Sequence, residues 1–226
     1  STSSAAGLQI KGDGTTDGTL QLNCSQNSHG IKLKSPNHSS GQSYTLTFPT
    51  TAPVADKILA TDGSGNLSFA NVISEADIFR LTSDTSNGVN ADITANLERV
   101  DNATFSKIGT GMTESSGIFT FPSTGLYQVI CNPGVIGVSD NRNAVKTNVS
   151  SNSGGAFDEV AEASGGGGGS SYDLNSVYSS AFVNVTNAST FQVKFTTSSF
   201  GASCRLVGDT NRTRTCFIFI KLGASQ

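Results

Sequence analysis

Charged side chains are scarce in this sequence. They make up 14% of the 226 residues, with a formal net charge of -3. So small an excess leaves no footprint for nucleic acid or an anionic membrane. Histidine occurs only twice, at His29 and His38, both among serines and glycines near the amino terminus. Imidazole-based catalysis would need a rigid pocket around one of them, so no catalytic role is expected. No apolar run approaches the ~20 residues that span a bilayer. A sustained 3.6-residue apolar period is also missing, which leaves helices little support. The four cysteines, Cys24, Cys131, Cys204 and Cys216, show no C-x-x-C spacing, so a structural zinc site is not expected. They read as small buried hydrophobes, or, for Cys204 and Cys216, as partners across a hairpin. The chain opens at Ser1 with neither an initiator Met nor a charged, apolar leader, which points to a processed or trimmed start.

What is abundant is Gly, Ser, Thr and Asn, set between short stretches that alternate apolar and polar residues. That texture belongs to an all-β protein. Residues 1 to 74 hold "GTLQLNC", "HGIKLKS", "SYTLTFP", "DKILAT" and "GNLSFANV", each closed by a turn-forming residue. Leu20 with Leu22, Ile31 with Leu33, and Leu46 with Phe48 make one-sided apolar faces, and "DGSGN" (62 to 66) reads as a turn. Such a region has little to bury. A few aliphatic side chains at ~1.5–3 kcal/mol each do not offset ~1–2 kcal/mol of backbone entropy per ordered residue. The region therefore needs burial from elsewhere: its own second domain, or sister chains wound around a common axis.

Residues 75 to 226 carry longer strands: "DIFRLTS", "ANLERV", "GIFTF", "GLYQVICN", "NAVKTNVS", "VYSSAFVNV", "STFQVKFTT" and "TCFIFIKL". Their spacing fits a β-sandwich or jelly roll. "NADITANLERV" is the best helical candidate and equally good as an extended arm. In the last strand Phe217, Ile218, Phe219 and Ile220 point to alternating faces, so both faces need cover. "SGGGGGSS" (164 to 171) should lie in an exposed loop or a close backbone approach.

The most informative stretch is "GIFTFPSTGLYQVIC", residues 117 to 131. Phe119 and Phe121 share one side of a strand. Pro122 ends the ladder at a corner. Gly125 permits a close turn, and Tyr127, Val129 and Cys131 then share a face, with the Tyr127 hydroxyl needing a partner if buried. The order Gly117, Phe119, Pro122, Gly125, Tyr127 resembles the G-x-F-x-x-P-x-x-G-x-Y signature of the C1q/TNF-like jelly-roll family. That resemblance covers roughly residues 77 to 222. The phrases "SHGIKLKSP", "SYTLTFPTT", "ILATDGSGNLSF" and "LERVDNATFSKIGTGMTESSGIFTFPSTG" are similar to segments of structural proteins from tailed phages of marine bacteria. The resemblance implies a homotrimer in a virion: an attachment or shaft region (1–74) that contacts other virion proteins, then a jelly-roll head (75–226). It also implies a shared apolar core on a threefold axis, for which Tyr127, Phe195, Phe217 and Phe219 are the candidates.

Chemical sites are thinly represented. Three copies of His29 or of His38 could meet on an axis and hold an ion, whereas a solvated turn histidine needs no such arrangement. "DGSGN" fails the calcium-loop register, because Leu67 and Ile73 stand where Gly and Glu are required. Asp13 and Asp17 lack further ligands, and "GTGMTE" lacks the third glycine of a dinucleotide loop. Asp77, Asp92, Glu98, Asp101 and Glu114 are dispersed, with no sign of the paired carboxylates of a glycosidase. No coil-length repeat of a depolymerising spike is present. The expectation is a non-enzymatic protein without cofactor. A host glycan or protein ligand would be met by the loop "AFDEVAEASGGGGGSSYDLNS", where Tyr172, Asp173 and Asn175 supply stacking and hydrogen bonds. Two alternatives stay open: a secreted C1q/TNF-like recognition module with a Cys204–Cys216 bridge, and a polysaccharide-degrading spike.

Overall fold

The structure, a computed structural model, describes residues 7–100, 105–137, 142–166 and 173–226. It divides into two units, Ser1–Ala70 and Asn71–Gln226; the sequence reading placed that change at 74/75. One 3-10 turn, His38–Ser40, is the single helical element among the described residues. Among the described residues no helix is long and apolar enough to cross a membrane.

The first unit holds two antiparallel hairpins. β1 (Thr19–Asn23) pairs with β2 (Gly30–Lys34), and β3 (Ile58–Thr61) pairs with β4 (Leu67–Ala70). "DGSGN" is the turn joining β3 to β4, where the Asp62 carboxylate accepts the Ser64 and Asn66 amides. "SYTLTFP" does not form the strand expected of it. Only Thr47 bridges, to Asn66, and the aromatic rings of Tyr44 and Phe48 stand in solvent. No described residue of this unit is buried.

The second unit is a sandwich. Its strands are β5 (Ala76–Leu81), β6 (Leu97–Arg99), β7 (Thr113–Ser115), β8 (Ile118–Thr120), β9 (Gly125–Asn132), β10 (Gly134–Gly137), β11 (Asn143–Ser150), β12 (Asp158–Gly165), β13 (Asp173–Ser176), β14 (Ser179–Val185), β15 (Gln192–Ser198), β16 (Arg205–Leu206) and β17 (Cys216–Gly223). One five-stranded sheet runs β14-β9-β17-β5-β6 and faces a second, β12-β11-β15-β8-β7; a smaller sheet runs β13-β10-β16. Every named strand pair is antiparallel, so hairpins and longer returns, rather than helical crossovers, connect them.

Alternation along the strands creates the core. In β9, Tyr127, Val129 and Cys131 point inward while Leu126, Gln128 and Ile130 point outward. Phe119 sits at the centre, fully buried, with ring centroids of Phe79 at 5.0 Å, Phe219 at 5.1 Å and Phe195 at 5.7 Å. Phe195 stacks on Phe217 at 4.0 Å across the two sheets. Edge-on and offset contacts of this kind add to the burial of each ring. "NADITANLERV" is extended: Ile93 is buried, its amide bonds to the Phe195 carbonyl, and the segment ends in β6.

The corner read from "GIFTFPSTGLYQVIC" is built as its residues require. Phe119 and Phe121 are both buried, and the Tyr127 hydroxyl donates to the Ser123 carbonyl at 3.2 Å. A Cβ at Gly125 would collide with the Lys221 side chain and with the Gly223 carbonyl at 2.7 Å, so this close approach of β9 to β17 demands glycine. Just before it, Ser116 and Gly117 form a two-residue loop between β7 and β8, both with positive φ (50° and 82°). That is the hairpin geometry whose twist suits flanking strands.

Candidate functional site

Tyr127, Phe195, Phe217 and Phe219 do not lie on a surface that a second chain can reach. All four are buried between the two sheets of one chain, at 2% exposure or less. A side chain with no surface left in the lone protomer has none to bury on association. The expected threefold core is therefore replaced, for these residues, by an intramolecular one. Strand β17 lies centrally in its sheet, so β5 and β9 cover its edges and the opposite sheet covers Phe217 and Phe219.

The uncovered surface is the other side of the same sheet. The pairing register places Ile78, Ile218 and Ile130 side by side across β5, β17 and β9. The next row holds Ala76, Ile220, Gln128 and Phe182, and Leu126 follows below. Val100, Phe105 and Thr213 border this face beside Ile78, Ile218 and Ile220. The isoleucines remain partly exposed and Phe182, on the edge strand β14, is 69% exposed. Between β5 and β17 the face hollows into a groove of ≈ 360 Å³ lined by Ala76, Ile78, Val100, Phe105, Ile218 and Ile220, with Asp77 and Thr213 at its margin.

The groove side of the sheet is held rigid from within. Asp77 is buried at 2% exposure and accepts Arg99 Nε through both oxygens at 3.1 Å, the Met112 amide at 2.8 Å and the Ile78 amide at 3.0 Å. Arg99 also donates to the Met112 carbonyl and lies 4.8 Å over the Phe79 ring. A buried carboxylate with this many donors is satisfied, and it ties β5, β6 and the loop before β7 together. At the upper border of the face Arg80, itself only 8% exposed, pairs with Glu98 at 2.9 Å.

The loop proposed for a ligand is rebuilt by the structure. Residues 158 to 165 form β12, and Asp173 and Asn175 lie within β13, paired with β10. They are not loop-tip residues, because the backbone of both is committed to a sheet. Tyr172 lies outside the described residues. The exposed large side chains nearest in sequence are Leu174 and Tyr178, whose solvent exposure the sequence reading missed.

His29 and His38 are both exposed in the first unit; His29 Nδ1 is 3.0 Å from Ser28 Oγ, and His38 lines an open polar hollow of ≈ 850 Å³. Among the described residues no group of three His, Cys, Asp or Glu is arranged to hold a metal ion. None of the cysteines is in a disulfide, Cys204 and Cys216 included. Burial pushes the Cys131 thiol well up and the Cys216 thiol to about 11. Exposed Cys24 behaves oppositely: the Ser28 hydroxyl, then backbone groups of the same turn, hold it down at about 6.

The first unit repeats the theme of uncovered apolar surface. Leu20 lies opposite Leu33, and Leu22 opposite Ile31, on one face of the β1–β2 hairpin. All four are exposed, Ile31 at 73%. Gln21, Lys32 and Lys34 take the other face.

The sandwich has a TNF-like jelly-roll fold, established by likeness to solved structures. Murine APRIL at pH 5.0 is 15% identical with a TM-score of 0.50, covering 66% of this chain and 98% of its own. Eiger, a TNF from S. frugiperda, is 13% identical with a TM-score of 0.51, covering 67% and 94%. The globular domain of zebrafish complement 1qA scores 0.44 at 11% identity. No protein-family model matches the sequence. No curated protein matches it by sequence either. At these identities the likeness establishes the fold alone.

Proposed function

We propose that this is a non-enzymatic structural protein of a tailed-phage virion, a fibre, spike or capsid-decorating protein, working as a homotrimer. The jelly-roll head faces outward and offers its loops to a host-surface glycan or protein. The first unit joins other virion proteins. The observation that carries self-association is the uncovered isoleucine row Ile78–Ile218–Ile130 with its groove and exposed Phe182. The virion assignment is supported by the phrase-level resemblance of both units to phage structural proteins.

Light scattering at micromolar concentration tests the assembly: a trimer is expected, and a stable monomer rejects it. Antibody labelling of intact particles tests the location. Signal on the particle is expected, and none on tail or head rejects the virion role.

A second reading, a secreted C1q/TNF-like recognition module, is consistent with the fold likeness to APRIL and Eiger. It predicts a parent gene with an export signal. The bridge it would use is not present in the structure.

A further inference from the structure

Thr147 lies in the middle of β11 and is 1% exposed, with its side chain on the inward face that Val145 also occupies. Its neighbours across the ladder are Ala161 on β12 and Phe195 on β15. Among the described residues its hydroxyl, Oγ1, meets no hydrogen-bond partner. A buried hydroxyl left unbonded carries its full desolvation penalty, and native interiors seldom contain one. The ladder breaks at the same place. Thr147 pairs with Ala161, but the next residue, Asn148, pairs with Glu159, so Val160 is an extra residue. A bulge of this kind leaves its extra residue out of the ladder. Free main-chain groups therefore stand beside the unbonded hydroxyl.

We infer that this point binds a single internal water, held between the Thr147 hydroxyl and the main chain of the Glu159–Val160 bulge. An internal water needs several polar partners that nothing else satisfies, and the bulge and the hydroxyl supply them together. The hydroxyl both donates and accepts, so it fits the water in either orientation, and the main chain takes the opposite role. Asn143 Oδ1 is likewise unbonded, but it stands four residues away on the same strand, roughly 13 Å along it, and takes no part.

The water has a task in the sheet. The register sets Lys146 opposite Glu162, yet the extra residue lets Glu159 reach Lys146 at 2.7 Å. Glu162 is then left to pair with Arg142. By holding the bulge, the water keeps both ion pairs in place along β12, the edge strand of its sheet. A bent edge bearing charges is a poor template for a strand of another chain.

Two variants of the full-length protein test the site. A high-resolution crystal structure should show a water within about 2.7–3.2 Å of Thr147 Oγ1 and of a main-chain nitrogen or oxygen of Glu159 or Val160. Thr147→Ser keeps the hydroxyl and should keep the water, whereas Thr147→Val should lose it. Urea denaturation supplies a second measurement whose sign separates a wet site from a dry one. With the water in place, Thr147→Val strips the bulge of its bridge, and the folding equilibrium constant should fall about twofold to tenfold. In a dry site valine only removes the penalty of the unbonded hydroxyl, and the protein gains stability. A wild-type structure with no water density at Thr147 Oγ1, or an unmoved or raised urea midpoint in Thr147→Val, overturns the site.

Discussion

The two units handle their apolar residues in opposite ways. In the second, Phe119 touches four other rings and no water. In the first, Leu22, Ile31, Leu33 and Phe48 all face solvent, and no described residue is buried. Both were assembled from short alternating strands. The difference is that the second unit supplies two sheets whose apolar faces meet, whereas the first supplies hairpins with one apolar face each and nothing of their own to set against it. A two-stranded hairpin is marginal in water. The head is thus a self-sufficient fold with one face left over, whereas the hairpins of the first unit bury none of its described residues.

The sharpest break in this comparison comes from substituting matched residues. Phe119→Ala should destabilise the head by about 3–5 kcal/mol, the usual range for a large core aromatic, read as a lowered urea midpoint. Leu22→Ala should leave that midpoint unmoved. A comparable loss in both would mean that the first unit has a core after all.

Next in size is the brace behind the groove. Asp77→Ala leaves the Arg99 guanidinium and the Met112 amide without their acceptor. Removing one partner from a buried pair costs about 3–5 kcal/mol; Arg99 is 29% exposed, so the lower end is expected. Chemical denaturation of head-only protein measures it, and an effect below 1 kcal/mol, the range of exposed pairs, would show the brace to be slack.

A smaller effect is expected at the corner. Tyr127→Phe keeps the ring but loses the hydroxyl's contacts with Ser123, worth about 0.5–1.5 kcal/mol. Loss beyond that range would assign the corner a role larger than its hydrogen bonds.

Thiol chemistry separates the units without altering stability. The thiolate is the reactive form. Cys24, exposed and held near 6, should therefore alkylate increasingly as pH rises through about 6 and level off above it. Cys131, Cys204 and Cys216 are buried and should stay unlabelled in the folded head. Ser28→Ala removes the chief cause of the depression and should move the Cys24 midpoint upward. Labelling of the head thiols under native conditions would contradict the packed core.

Much of the head was legible because strand period and turn chemistry are local. Phe119, Phe121, Tyr127 and Cys131 were assigned to shared faces correctly from alternation alone, and Tyr127 does find a hydroxyl partner. Which face turns inward was not legible. That depends on which strands pair, as when β15 joins β8 across some seventy residues. Misreading it put Phe195 and Phe217 on a threefold axis when they stack on each other inside one chain. The outward rows were missed for the same reason: Ile78, Ile130 and Ile218 belong to three separate strands, and Phe182 to a fourth. Strand β12 was hidden by its composition, since "DEVAEAS" is rich in residues depleted from strands. Ser116–Gly117 did carry a readable turn signal that went unused.

Amide hydrogen exchange over a dilution series tests the dependence of the first unit on association most directly. The account predicts that β9 amides stay protected at every concentration, while β1 and β2 amides are protected only where the mass is three times the 23.3 kDa of one chain. Protected β1 and β2 amides in a dilute monomer would contradict it.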